Sequence, residues 1–167
     1  MDLSRRSFLG ARTSPGAVFR PPWSLAESAF TERCSRCGAC AANCETGLLK
    51  IGRGGFPEAD FAVASCTFCG NCARDCRTGA IQKDTDARAW KDFVISIRPA
   101  CLSTQNVFCR TCGEVCDSGA IRFSLRPGGA ARPQIDAERC TGCGACIAPC
   151  PTAAIVRLPI PTESNLS

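Results

Sequence analysis

The sequence predicts a small, loop-rich α+β fold made of two tandem halves, held together by groups bound to its thiols more than by an apolar core. Three observations carry this. Sixteen of the 167 residues are cysteine, a density that marks a thiol-dominated scaffold. Those cysteines fall into four repeated units with none left over. Hydrophobic residues make up 45% of the chain, but the cysteines are counted among them and aromatics reach only 7%. A core built from so few large side chains is thin, and small domains of that kind need staples.

Composition excludes several functions. The chain has no His, which removes His-based acid–base catalysis, zinc sites of mixed Cys/His type, Rieske centres and His-ligated haem. The formal charge is +5, which on its own invites a nucleic-acid reading. The arginines and lysines are spread along the chain rather than blocked into a basic patch, so no nucleic-acid partner is expected. No run approaches the about 18 apolar residues of a spanning helix, so no transmembrane segment is expected.

Residues 1–29 form an N-terminal tail. Ser4-Arg5-Arg6-Ser7-Phe8-Leu9 has the form of a twin-arginine export signal, but Arg12 and Pro15 interrupt the stretch that should be apolar. The segment reads as a look-alike on a retained, cytoplasmic protein. Arg20-Pro21-Pro22-Trp23 follows.

The first half, 30–81, contains two units. Unit one is Cys34-x2-Cys37-x2-Cys40-x3-Cys44 and unit two is Cys66-x2-Cys69-x2-Cys72-x3-Cys76. Between them, Leu48 to Ile51 and Phe56 to Phe61 flank a Gly-rich turn, the signature of a hairpin. A polar linker, 82–91, separates the halves. The second half, 92–160, opens with a strand, Phe93 to Ile97. Unit three is Cys101-x7-Cys109-x2-Cys112-x3-Cys116, stretched in its first gap. A second hairpin runs from Ile121 to Ile135 around Arg126-Pro127-Gly128-Gly129. Unit four is Cys140-x2-Cys143-x2-Cys146-x3-Cys150, and 161–167 is a C-terminal tail. The residues after each fourth cysteine also repeat: Glu45-Thr46-Gly47-Leu48, Arg77-Thr78-Gly79-Ala80, Asp117-Ser118-Gly119-Ala120 and Pro151-Thr152-Ala153-Ala154.

Three cysteines within seven residues wrap a loop around one corner of a cube-shaped 4Fe–4S cluster, with a fourth following at a helical turn. Gly and Ala between them let backbone N–H groups approach sulfur. Zinc prefers two separated Cys-x-x-Cys pairs or a Cys/His set. Disulfides demand an oxidising compartment and leave the repeated spacing unexplained. A single cluster would leave three complete sets idle. Four clusters would each contribute a net charge of about −2, which turns the basic formal charge to about −3.

Units one and two together resemble a bacterial dicluster ferredoxin, and units three and four resemble a second. That resemblance implies two tandem bacterial-type dicluster ferredoxin domains held by four 4Fe–4S clusters, the fourth cysteine of each unit ligating the other cluster of its pair. The implied ligand sets are Cys34, Cys37, Cys40 and Cys76; Cys66, Cys69, Cys72 and Cys44; Cys101, Cys109, Cys112 and Cys150; and Cys140, Cys143, Cys146 and Cys116. A rival pairing joins unit one with four and two with three. The family motif ends in Cys-Pro, which only Cys150-Pro151 keeps. The insertion Leu102 to Phe108 is expected to leave the third set more exposed than the others.

A narrower resemblance rests on Ser4 to Leu9, Phe19-Arg20-Pro21-Pro22-Trp23-Ser24, Gly54-Gly55-Phe56-Pro57-Glu58 and the stretched third unit. These are similar to the ferredoxin-type accessory proteins of periplasmic nitrate reductase systems. The resemblance implies a cytoplasmic, non-enzymatic protein that binds the catalytic, molybdenum-containing subunit before its export and assists its iron–sulfur or redox maturation. Arg5, Arg6, Arg20, Pro21, Pro22 and Trp23 are then candidate partner-binding residues. The alternative is a general electron-transfer polyferredoxin serving an oxidoreductase.

Overall fold

A computed structural model describes residues 18–84, 88–90 and 93–159. Regular structure is short throughout. The helices are α1 (Glu27–Arg33), α2 (Ala39–Ala42), α3 (Asn71–Arg74) and α4 (Thr111–Glu114). The strands are β1 (Leu49–Ile51), β2 (Pro57–Ala59), β3 (Phe93–Ile97), β4 (Ile121–Arg126), β5 (Gly129–Ile135) and β6 (Ile155–Pro159). They form three two-stranded antiparallel sheets, β1–β2, β3–β6 and β4–β5.

Both hairpins expected from the Gly-rich turns are present. In the first, Leu49 pairs with Ala59 on the buried face, while Lys50 points outward to Asp60, Nζ to Oδ2 2.6 Å. The Lys50 ammonium holds the Asp60 carboxyl below its ordinary range. The second hairpin closes from Ile121 opposite Ile135 to Arg126 opposite Gly129, with an irregularity between Ser124 and Arg126. Pro57, Pro133 and Pro159 all lie in strands with a single partner, where a missing N–H costs no ladder bond.

The two halves share one topology. In the second, β3 before unit three pairs with β6 after unit four, from Phe93 opposite Pro159 to Ile97 opposite Ile155. In the first, Ser24 before unit one bridges Ile81 after unit two. Each half thus encloses two consecutive units and a hairpin.

The segment 18–29 lies against the first half. Phe19 O accepts from Ala59 N at 2.7 Å and Leu25 N donates to Ala80 O at 3.1 Å. Helix α1 buries Phe30 completely and turns its polar residues outward. Within the polar linker, Trp90 turns inward, its Nε1 donating to Arg20 O at 2.9 Å.

The apolar core is as thin as the composition requires. One cluster gathers Phe30, Leu48, Leu49, Phe61, Ala80 and Ile81 in the first half. A smaller one holds Ile121 and Ile155 in the second. Leu48, Ala80, Ala120 and Ala154, each four residues beyond a fourth cysteine, are at most 1% exposed, so the repeat buries the same position four times. The third, fourth and adjoining cysteines complete both clusters.

Candidate metal centres

The cysteine loops owe their shape to backbone that only certain residues adopt readily. Gly38, Gly70 and Gly144 follow the second cysteine of units one, two and four with φ of 76°, 86° and 78°, a left-handed conformation that glycine adopts without penalty. The residues before those cysteines, Arg36, Phe68 and Gly142, are left-handed as well. This reversal lets three cysteines in seven residues face one side of a loop. Unit three departs from it: Arg110, after Cys109, has φ −129°.

All sixteen cysteines are free thiols. One cavity is lined by Cys44, Cys66, Cys69 and Cys72, with Trp23 and Thr46 on its wall. A second is lined by Cys101, Cys109, Cys112 and Cys150. A third is lined by Cys116, Cys140, Cys143 and Cys146. Each brings together three cysteines of one unit and the fourth cysteine of its neighbour. Of the remaining four, Cys40 is buried in the first apolar cluster with Cys34 and Cys76 packed against that cluster, and Cys37 is exposed. Among the described residues, no three or more potential ligands converge on a single-ion position. A cubane presents an iron to each thiolate at a separate corner, so its ligands surround a volume.

The two units of the first half are laced across. Asn43 Nδ2 donates to Asp75 Oδ2 at 2.8 Å, and Asn71 Nδ2 to Glu45 Oε1 at 2.8 Å. The first joins the residues that precede the fourth cysteines Cys44 and Cys76, the second joins the residue after Cys44 to the one before the third cysteine Cys72, and together they hold α2 against α3.

Thiol electrostatics divide by repeat position. Burial pushes the third cysteines up, Cys40 and Cys112 to about 11, Cys72 and Cys146 to about 12. Burial also pushes Cys66 up to about 11. At Cys44, burial is overridden by the N–H groups of Leu49, Leu48 and Thr46 and the Thr46 hydroxyl, and the thiol falls below its ordinary value. Cys150 behaves alike, with N–H groups of Thr152, Ala154 and Ile155 aimed at it; Ala154 N lies 3.3 Å from its sulfur. These donors favour an anionic sulfur, the state that binds iron.

The sequence reading missed a set of hydroxyls. Thr46, Thr78, Ser118 and Thr152 each lie two residues past a fourth cysteine, with oxygen 3.7, 3.7, 3.6 and 3.9 Å from that sulfur. The signal was present in the repeat, a hydroxyl residue in all four copies, and only the geometry gives it a purpose.

The expectation about the insertion is corrected. Cys101, Cys109, Cys112 and Cys150 are all partly buried, whereas the exposed cysteines are Cys37 and Cys69 in the first half. Leu102–Gln105 folds into a tight 3-10 turn. Its buried Ser103 donates Oγ to Cys109 O at 2.8 Å, and Asn106 Oδ1 accepts from Ala130 N at 2.7 Å. The extra residues cap the cavity, leaving Phe108 as the exposed tip.

Of the candidate partner-binding residues, Arg5 and Arg6 lie outside the described residues. Pro21 and Pro22 are buried and Trp23 is half-buried. Arg20 is bidentate to Glu27 at 2.6 and 2.9 Å and stacks over Phe30 and Phe56. The structure gives Arg20 to Trp23 internal contacts that anchor the strap at 18–29.

Free thiols in fours, swapped between paired units and wrapped by left-handed loops, define a polyferredoxin, and comparison with known proteins agrees. The 4Fe–4S dicluster domain family matches residues 33–80 and again 107–154, so the chain carries two tandem dicluster domains whose sixteen cysteines fit four 4Fe–4S clusters. The "Ferredoxin-type protein NapF" of Haemophilus influenzae is 45% identical over 92% of this chain and 93% of its own. That of Escherichia coli K12 is 41% identical over 93% and 94%. The "Methylamine utilization ferredoxin-type protein MauM" of Methylobacillus flagellatus is 32% identical over 96% of this chain and 76% of its own. The chain belongs to the NapF family of ferredoxin-type proteins.

Proposed function

We propose that the four cysteine sets are the four cluster sites: Cys34, Cys37, Cys40 and Cys76; Cys66, Cys69, Cys72 and Cys44; Cys101, Cys109, Cys112 and Cys150; Cys140, Cys143, Cys146 and Cys116. The observation that carries this is the three cavities, each walled by four cysteines in that swapped combination. A bound 4Fe–4S cluster supplies one-electron redox chemistry. The chain's residues hold it by thiolate, stabilise sulfur charge through backbone N–H and the four hydroxyls, and exclude water with Leu48, Ala80, Ala120 and Ala154.

The protein then serves, in the cytoplasm, as an accessory factor for the catalytic subunit of periplasmic nitrate reductase, assisting its iron–sulfur or redox maturation before export. Support comes from the NapF relatives across nearly the whole chain and from the twin-arginine look-alike at Ser4 to Leu9. Among the described residues no helix is long and apolar enough to cross a membrane. A second reading, a general electron carrier, is favoured by the contact between Cys66 and Cys143, which joins cavities of the two halves.

Anaerobic purification should give about sixteen iron atoms per chain. The same material, immobilised, should capture the cytoplasmic precursor of the catalytic subunit. Because 18–29 is packed into the first half, the informative truncation removes 1–17 and keeps every described contact. Capture that weakens on truncation supports a client-binding tail; absence of capture by either form leaves the carrier.

A further inference from the structure

The second and fourth units meet across the boundary between the halves. Cys66 N donates to Cys143 O at 2.9 Å, so the cavity walled by Cys66 and the one walled by Cys143 are neighbours. The first and second sets share the half laced by Asn43 to Asp75 and Asn71 to Glu45, and the third and fourth share the half closed by β3 on β6. With the second and fourth in contact, the sets run first, second, fourth, third.

Arg157, on β6, lies at this junction. Its guanidinium carbon is 3.4 Å from the ring centre of Phe93, 3.9 Å from Phe61, 4.3 Å from Phe19 and 4.8 Å from Trp90. Phe61 and Phe93 fill the space that a Cβ at Gly144 and Gly142 would need, so the box rests directly on the loop of unit four. Arg157 is 8% exposed, and none of its three guanidinium nitrogens has a hydrogen-bond partner. A buried, unpaired cation is costly, and aromatic faces recover only part of that cost. Burial drives its pKa down to about 9, opposed by the charges of Cys140, Cys66 and Cys143. Those three cysteines belong to the two inner sets.

We propose that Arg157 is the shared counter-cation of the two inner cysteine sets, and that it raises the reduction potentials of the clusters they hold above those the same sites would have without it. The inference rests on the swapped assignment proposed above. A four-thiolate set around an iron–sulfur core is anionic and becomes more so on reduction. A fixed positive charge in a dry, aromatic setting favours the more negative state. Arg157 makes no hydrogen bond to sulfur; it is a positioning charge, held in place by the four rings.

The test is a dithionite titration of the fully loaded chain under anaerobic conditions, followed by EPR. Arg157→Met keeps an apolar stem for the rings and removes the charge; Arg157→Lys keeps the charge. Two of the four potentials should fall in Arg157→Met while two stay in place, and Arg157→Lys should move the same two by less. Cys66→Ser and Cys140→Ser identify which signals belong to the inner sets. Unchanged potentials in Arg157→Met, or a like shift in all four, overturns the proposal. If Arg157→Met does not load, Arg157→Lys decides. Full loading with only the inner two potentials altered supports a charge role, and failure to load assigns Arg157 to packing and overturns it. Wild-type chain holding fewer than four clusters sinks the ligand assignment itself; fully loaded chain with an unresponsive Arg157→Met sinks this inference alone.

Discussion

Residue by residue, the repeat records which positions the clusters demand. Three residues past each fourth cysteine the backbone turns left-handed, with φ of 69°, 66° and 61° at Gly47, Gly79 and Gly119 and 47° at Ala153. The fourth copy therefore carries a strain that the other three avoid. Ala153→Gly removes about 1–2 kcal/mol of left-handed strain, and glycine's greater unfolded-state freedom takes back about 0.5–1 kcal/mol. A net gain of about 1 kcal/mol is expected, read as a higher thermal midpoint for the loss of visible absorbance in the loaded protein. Gly79→Ala should lower that midpoint. The cysteine repeat and this glycine rhythm were both legible in the sequence, because covalent spacing and φ constraints are local. Arg157 was not: nothing near it in sequence marks it, and its aromatic box is assembled from residues 19, 61, 90 and 93.

Among the elements, hairpins and the strand before unit three were readable from alternation and Gly-rich turns, for the same local reason. Partners across the chain were not. That β3 closes on β6, or that Arg20 to Trp23 straps the first half, depends on contacts over tens of residues that no local pattern encodes. The insertion in unit three is instructive, since added length suggested exposure and hydrogen bonding turned it into a cap. Ser103 is 2% exposed and its hydroxyl holds Cys109 O. Ser103→Ala leaves that carbonyl without its donor at a cost of about 1–3 kcal/mol. Iron release to a chelator should then quicken for one quarter of the total iron, with the other three quarters at the wild-type rate. Uniform acceleration would mean that the cap serves the whole fold rather than one site.

For the molecule as a whole, stability is inseparable from its metal. Two apolar clusters of a few large side chains each, joined by three two-stranded sheets, bury too little surface to offset chain entropy of about 1–2 kcal/mol per residue. Isolated two-stranded pairs are marginal at best. The swapped ligation proposed above would make every cluster a staple between two units, and the Arg157 box with the Cys66 to Cys143 bond extends the contact across the halves. Withdrawing iron also weakens the counter-charge beside the buried Arg157, since burial pushes the Cys66 thiol up to about 11 and raises the Cys140 thiol as well. Anaerobic removal of iron with a strong chelator should therefore unfold both halves together. Small-angle scattering should show expansion toward the dimensions of an unfolded chain, nearly three times the compact radius, from about 15 Å to about 43 Å, and far-UV circular dichroism should lose its strand signal at the same chelator concentration. A metal-free chain that stays compact would show that the thin core suffices, and that the clusters serve redox function without carrying the fold.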